Sequence, residues 1–261
     1  MRIIDLSITL HNGAANDPPA QRPYIIYSDH EAGRDNMLSM YPSVQASDLP
    51  DGLGWAYEGV ILGSHTGTHL DAPWHYHPTM NGGERAITID EVPLEWCFAP
   101  GVKLDFSSRM DGDLITAADV EAKLAEIGHV LQPYDIVLVQ SGAGPYCEDA
   151  SYQMRGCGMG REATNYLTER GVVVTGTDAW SWDRPLPLVA EEFARTGDKS
   201  IIWEGHFAGI ERCYCHMEKL TNLDLLPASG FRVACFPIKI EGASAGWVRP
   251  VAILEDESPA R

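Results

Sequence analysis

The segment His65-Thr-Gly-Thr-His69-Leu-Asp71-Ala-Pro-Trp-His75-Tyr-His77 constrains local structure more tightly than any other part of this chain. A helix is the first form to test, because His at i and i+4 would share one face. Gly67 sits mid-segment, Thr66 and Thr68 are β-branched, and Pro73 follows; each of these weakens a helix. Extended backbone fits better. Residues 65, 69 and 71 have equal parity, and side chains of equal parity point to one face of a strand. His65, His69 and Asp71 are therefore expected to converge on one side of an extended segment. Gly67 lies on the same side and offers no side chain to obstruct what they surround.

Two imidazoles and a carboxylate are a common ligand set for zinc or manganese. Three protein ligands leave one coordination position open, as a catalytic ion requires. The zinc-peptidase pattern H-E-x-x-H does not apply, since Thr66 stands where its Glu base belongs. His75 lies beyond the Pro73 turn and is expected to fold back over the ion as a proton shuttle. His77 is left outside the expected ligand set.

Nineteen Lys and Arg face 37 Asp and Glu, a formal charge of −18. With no basic run to offset it, this balance argues against nucleic acid or an anionic membrane surface as partner; a small-molecule substrate is expected from the ligand set described above. No stretch reaches the roughly 18 unbroken apolar residues of a membrane span. The N-terminal Met1-Arg-Ile-Ile-Asp-Leu reads as a first strand rather than a signal peptide. The six cysteines are expected as reduced thiols of a cytoplasmic protein, and Cys213-x-Cys215 lacks the second pair of a zinc finger.

Residues 11–58 are rich in Pro and Gly, too long for a plain connector, and expected to be functional or to carry short elements. Tyr24, Tyr27, Tyr41, Trp55 and Tyr57 either wall a pocket or pin this region to the core. Gly59-Val-Ile-Leu-Gly63 reads as a buried strand, and Val102, Leu104 and Phe106 as a half-buried one. Thr116 caps an expected helix that Gly128 closes. Asp135–Gln140 and Val172–Thr175 read as buried strands, with a helix ending at Gly171 between them. Two further strands are expected at Phe231–Phe236 and Val248–Leu254. Gly156-Cys-Gly-Met-Gly160 has the wrong spacing for a dinucleotide fingerprint and reads as a flexible lead-in to a helix. Asp178 and Asp183 flank Ala179-Trp-Ser-Trp182 and pin a loop or wall a pocket. This mixture implies an α/β protein, a single domain over 1–261.

At His65, Gly67, Thr68, His69, Asp71, Pro73 and His75 the chain resembles the putative cyclase family of metal-dependent hydrolases, whose pattern H-x-G-T-H-x-D-x-P-x-H is matched in full. Bacterial kynurenine formamidases and isatin hydrolases belong to that family. The likeness extends to Asp5-Leu-Ser7, to the segment from Arg161 to Asp178, and to His206 followed by Glu218 and Leu220-Thr-Asn-Leu-Asp-Leu-Leu-Pro227. It includes Phe236-Pro-Ile-Lys-Ile-Glu241, which resembles the family's last-but-one strand. Residues 11–58 and 180–200 do not align.

The resemblance implies a swivelling β/β/α domain, a mixed sheet with flanking helices, assembled as a homodimer or homotetramer. It implies that His65, His69 and Asp71 bind a first ion, that Asp71 bridges to a second held by His206 and Glu218, and that His75 is the acid–base residue. The formamidase branch uses the second site, whereas the isatin branch lacks the Glu, so Glu218 tilts the expectation toward two zinc ions, with manganese as the alternative. The expected reaction is hydrolysis of an N-formyl arylamine, a cyclic amide or imide, or a lactone by activated water. The alternative is a non-catalytic metal- or ligand-binding module of the same fold.

Overall fold

The computed structural model describes residues 1–255; the last six residues of the expected 1–261 domain lie outside the described part. The chain opens with β1 (Arg2–Asp5). Residues 11–58 then hold β2 (Tyr24–Ser28) and α1 (His30–Met40), and β3 (Tyr57–Ile61) follows at the end of this region. Asp29 starts α1 by accepting a hydrogen bond from the Ala32 N–H. β2 and β3 form a separate antiparallel pair, Tyr24 opposite Ile61.

The apolar run at 59–63 is thus a strand only in part, and it is not buried. Val60 and Ile61 are 50% and 65% exposed. Among the described residues their strand pairs with β2 alone. Tyr24, Tyr27, Tyr41 and Tyr57 are exposed too and do not pin the region to the core. Trp55 alone of that group packs closely: its carbonyl lies where a Cβ on Gly33 of α1 would stand, 1.7 Å away.

β4 (His69–Asp71), α2 (Pro73–Tyr76) and the small hairpin of β5 (Thr79–Met80) and β6 (Glu84–Arg85) come next. They are followed by β7 (Phe98–Asp105), β8 (Leu114–Ile115) and α3 (Ala117–Glu126), which begins at the Thr116–Asp119 capping box. β9 (Ile136–Gln140), β10 (Gly158–Met159), α4 (Arg161–Thr168) and β11 (Val174–Thr177) form the middle. The last third contains α5 (Leu186–Thr196), α6 (Glu204–Phe207), β12 (Cys215–Glu218), β13 (Phe231–Ala234), β14 (Ala245–Trp247) and β15 (Val251–Leu254).

Among the described residues, nine strands make one mixed sheet in the order β1-β15-β13-β7-β9-β11-β12-β4-β14. β7, β9, β11 and β12 run parallel, and the other pairings are antiparallel. The two-residue repeat of β9 feeds two cores. Ile136 and Leu138 pack into one with Leu70, Val174 and Met217; Val137 and Val139 pack into the other with Leu104, Val120 and Leu167. Each such burial contributes about 1.5–3 kcal/mol, against about 1 kcal/mol for a helix cap. The sheet rather than the caps therefore fixes the frame of the site. β7 is buried on both faces from Gly101 to Leu104 and is not half-buried.

Two other expectations fail for local reasons. The extended segment begins at His69, not His65: Thr66 closes a turn onto the Gly63 carbonyl, and Gly67 has φ +67°. That φ calls for a glycine, and a Cβ added at Gly67 would lie 2.4 Å from Leu10 Cδ2. Residues 236–241 form no strand, because Pro237 has no N–H to give a ladder; the penultimate strand is β14. The glycine run at 156–160 does lead into α4. Gly158 is needed because an added Cβ would lie 2.0 Å from the Arg184 nitrogen.

Candidate metal centre

The β12–β4 register builds the centre. It sets His216 opposite Asp71 and Glu218 opposite His69. His65 enters from the turn before β4, His75 from α2 and His206 from α6. All six sequence-predicted residues come together, the four His around Asp71 and Glu218. Asp71 Oδ1 lies 2.8 Å from His65 Nδ1 and 3.2 Å from His69 Nε2. Its Oδ2 lies 3.8 Å from His75 Nε2 and 3.9 Å from His206 Nε2. Glu218 is 3.6 Å from both His69 Nε2 and His206 Nε2. His77 is exposed and turns to Thr79 instead.

Sequence reasoning missed His216. It is fully buried, with Nε2 3.2 Å from both Asp71 Oδ2 and Glu218 Oε1. The signal was present in His216-Met-Glu218: equal parity on a strand puts both on one face. Asp71, His206, His216 and Glu218 form one group able to hold an ion; His65, Asp71 and His75 form another.

The donor set fits a cation on two counts. His69 Nε2 and both Asp71 carboxylate oxygens are buried without a hydrogen-bond partner, which is costly unless something positive lies between them. Three imidazoles also have their outer nitrogen tied. His69 Nδ1–H donates to the Gly67 carbonyl at 2.8 Å, and His206 Nδ1–H donates to the Asp183 carboxylate. His216 Nδ1 shares a hydrogen bond of 2.9 Å with the Tyr76 hydroxyl. Each Nε2 is thereby turned inward, as in metal sites whose ligands are oriented from behind.

Asp183 thus orients His206, and it also accepts from the Gly205 and His206 N–H groups. Asp178 pins a loop: its carboxylate takes the Ser141 and Gly144 N–H groups. The six cysteines are free thiols.

Burial pushes the Asp71 carboxyl up, but His69, His75, His216 and His65 outweigh this and hold it well below the usual range. Burial likewise raises Glu218, and its bond to His216 leads the effects that take it down to about 2. Burial lowers His216, yet Asp71 and Glu218 raise it to about 9. Burial lowers His75 to about 4 despite the pull of Asp71, so His75 is a neutral base at neutral pH.

In the ion-free protein, protonated His216 therefore stabilises the fold in full below the ordinary imidazole value of 6.5. That contribution is lost as pH rises through about 9. An ion bound at Nε2 must displace this proton. Zinc affinity is expected to rise about tenfold per pH unit between pH 7 and 9 from this one proton. Competition titrations with a chelating dye give the slope, and a flat profile would remove His216 from the ligand set.

A cavity of about 230 Å³ opens onto the cluster, lined by Gln21, His65, His75, Trp180, Trp203 and Lys219 among others. A larger groove of about 750 Å³, along Ile8, Leu10, Phe236, Ile238 and Trp247, holds no group of metal-ligating side chains among the described residues. Chemistry, not size, marks the smaller cavity as the site.

A buried imidazole–carboxylate centre beside an open cavity, on this sheet, is the arrangement of a metal-dependent hydrolase. The chain belongs to the family described as “Putative cyclase”, which matches residues 4–184. Isatin hydrolase from Roseibium aggregatum is 26% identical over 215 residues, spanning 78% of this chain and 77% of its own. Among solved structures, isatin hydrolase A from Labrenzia aggregata, bound to benzyl benzoate, superposes with a TM-score of 0.73. It is 23% identical and spans 98% of this chain and 94% of its own. Isatin hydrolase A from Ralstonia solanacearum also gives 0.73, at 24% identity over 97% and 92%. These neighbours share the mixed α/β fold. No helix among the described residues is long and apolar enough to cross a membrane.

Proposed function

We propose that this protein hydrolyses a small amide with a flat aromatic body, a cyclic amide of the isatin kind in the first place and an N-formyl arylamine in the second. The observation that carries the reading is the trio of buried atoms on His69 and Asp71 that lack an aligned hydrogen bond, beside a cavity. Two further facts support the substrate class. A relative acting on isatin is similar over most of the chain, and the cavity is walled by Trp180, Trp203 and Leu186.

His65, His69 and Asp71 hold one ion in this reading; His206, His216 and Glu218 share Asp71 to hold another. Zinc is the first choice and manganese the second. Such an ion supplies Lewis acidity, lowering the pKa of water to about 7 and polarising a carbonyl oxygen. His75, neutral and lining the cavity, takes the proton of the attacking water and delivers it to the leaving nitrogen. Trp203 stacks on His206 with ring centroids 4.1 Å apart and meets His75 edge-on at 5.1 Å. It keeps bulk water from both and offers a flat face to an aromatic substrate.

The test is a panel of cyclic amides, N-formyl arylamines and lactones, assayed with and without chelator. Turnover that chelator abolishes and zinc or manganese restores is the expected result. Bound metal with no turnover on any member would favour a binding module. Selective lactone cleavage would move the substrate class. We also propose a homodimer or homotetramer, supported by the exposed apolar side chains of β2 and β3; light scattering showing a monomer would remove it.

A further inference from the structure

We propose that Cys97 and Cys235 are a disulfide-forming pair, joined by hydrogen peroxide across the end of the β7–β13 ladder. The inference is independent of the hydrolase reading.

Register brings the two together. The β13–β7 pairing sets Ala234 opposite Phe98, and one step further it sets Cys235 opposite Cys97. The Cys235 N–H donates to the Cys97 carbonyl at 2.8 Å, so the two backbones still face each other there. Directly opposed residues of an antiparallel pair have Cα atoms about 4.5–5.5 Å apart. A disulfide needs about 4.4–6.8 Å, so the bond closes without moving either strand. The side-chain directions agree. Both thiols are fully buried in the core that holds Ala99, Phe231 and Val233, and they hydrogen-bond each other. Cys215 belongs to that core too, but β12 pairs with β11 and β4, so it is a ladder neighbour of neither.

The pair divides into a nucleophile and a resolving partner. The bond with Cys235 holds the Cys97 thiol below its ordinary value, while the same bond, with burial, pushes Cys235 well above it. The Cys97 thiolate attacks peroxide: an S–O bond forms, the O–O bond breaks, and hydroxide leaves to take up a proton as water. The Cys235 sulfur then attacks the sulfenic sulfur. The S–S bond forms, the S–O bond breaks, and a second water leaves with the Cys235 proton. Two thiols are oxidised and one peroxide is reduced to two waters.

The position lets a water-sized oxidant in. The next residues along the chain, Phe98 and Phe236, are exposed. The ladder also ends at the pair: Cys97 closes the short 3₁₀ helix Leu94–Cys97, and Pro237 has no N–H to carry the pairing on. Opening such an end takes less free energy than opening the middle of a core strand.

The test treats the native, full-length protein with hydrogen peroxide, blocks the remaining thiols with N-ethylmaleimide in guanidinium, and maps peptides by mass spectrometry without reduction. The expected product joins the Cys97 and Cys235 peptides, is lighter than their sum by two hydrogens, and falls apart under a dithiol reductant. The bond closes a loop of 138 residues, so it should raise Tm by about 5–10 °C. Cys235→Ala should show neither the cross-link nor the rise, and the wild-type peptide map decides even where that variant folds poorly. Four results overturn the proposal. The first is recovery of both thiols as maleimide adducts once the partly exposed Cys147 and Cys213 have been oxidised. The second is Cys97 carried to a sulfinic acid with Cys235 still free. The third is a cross-link from either to another cysteine in place of the expected one. The fourth is a fall in Tm on cross-linking, the mark of strands pulled out of register.

Discussion

Asp71→Ala is expected to yield a folded protein whose zinc content, measured by mass spectrometry after dialysis, falls to background. Asp71 is the single residue common to both groups able to hold an ion. Both its oxygens are buried without a well-aligned hydrogen bond, and imidazole nitrogens of His65, His69, His75, His206 and His216 lie within 3.9 Å of one or the other. No neighbouring carboxylate replaces it: Glu218 approaches from the next strand and already accepts the Trp182 N–H at 2.9 Å. The loss can be read without any substrate. Zinc at a hundredfold above its Kd stabilises a protein by about 2.7 kcal/mol. In a chain of this length that raises Tm by about 5–10 °C. The wild type should show this rise and Asp71→Ala should not. An intact zinc-dependent shift in the variant would place the ion elsewhere and undo the assignment of the centre.

The part of this centre legible from sequence is the part whose geometry is local. His65, His69, Asp71 and His75 lie within eleven residues, and Gly67 and Pro73 dictate the turns between them. His206 and Glu218 came from resemblance to a family, not from spacing. His216 was missed because its significance depends on register. Only when β12 lies antiparallel to β4 does Met217 point to the core and His216 toward Asp71. The strands of the central sheet were readable for the same local reason: runs such as Ile136-Val-Leu-Val139 are apolar on both faces. The apolar run at 59–63 looks alike in sequence but lies in an exposed two-stranded pair. Composition reports a preference for burial; it does not report whether another element arrives to provide it. The Cys97–Cys235 pair was invisible for the same reason as His216. The two cysteines are 138 residues apart, and only the β13–β7 register brings them together.

His75→Ala separates chemistry from metal binding, and its expected outcome is full zinc content with turnover reduced about 10²–10⁴-fold, the worth of a general acid–base group. The competing role is real, since His75 stands with His65 and Asp71 in one of the two groups able to hold an ion. Three observations favour the proton carrier. His69 and His216 side chains are wholly buried, whereas the His75 side chain is 24% exposed and faces the cavity. Its Nε2 stands 3.8 Å from Asp71, farther than those of His69 and His216. Burial has lowered it to about 4, so it waits unprotonated at neutral pH and an adjacent cation would act in the same direction. Its ring packs against His65 with centroids 4.0 Å apart, and it is placed to accept a proton as water attacks. Zinc lost together with activity in His75→Ala would make His75 a ligand, and the proton would need another carrier. Zinc kept and turnover kept would leave it outside the reaction altogether.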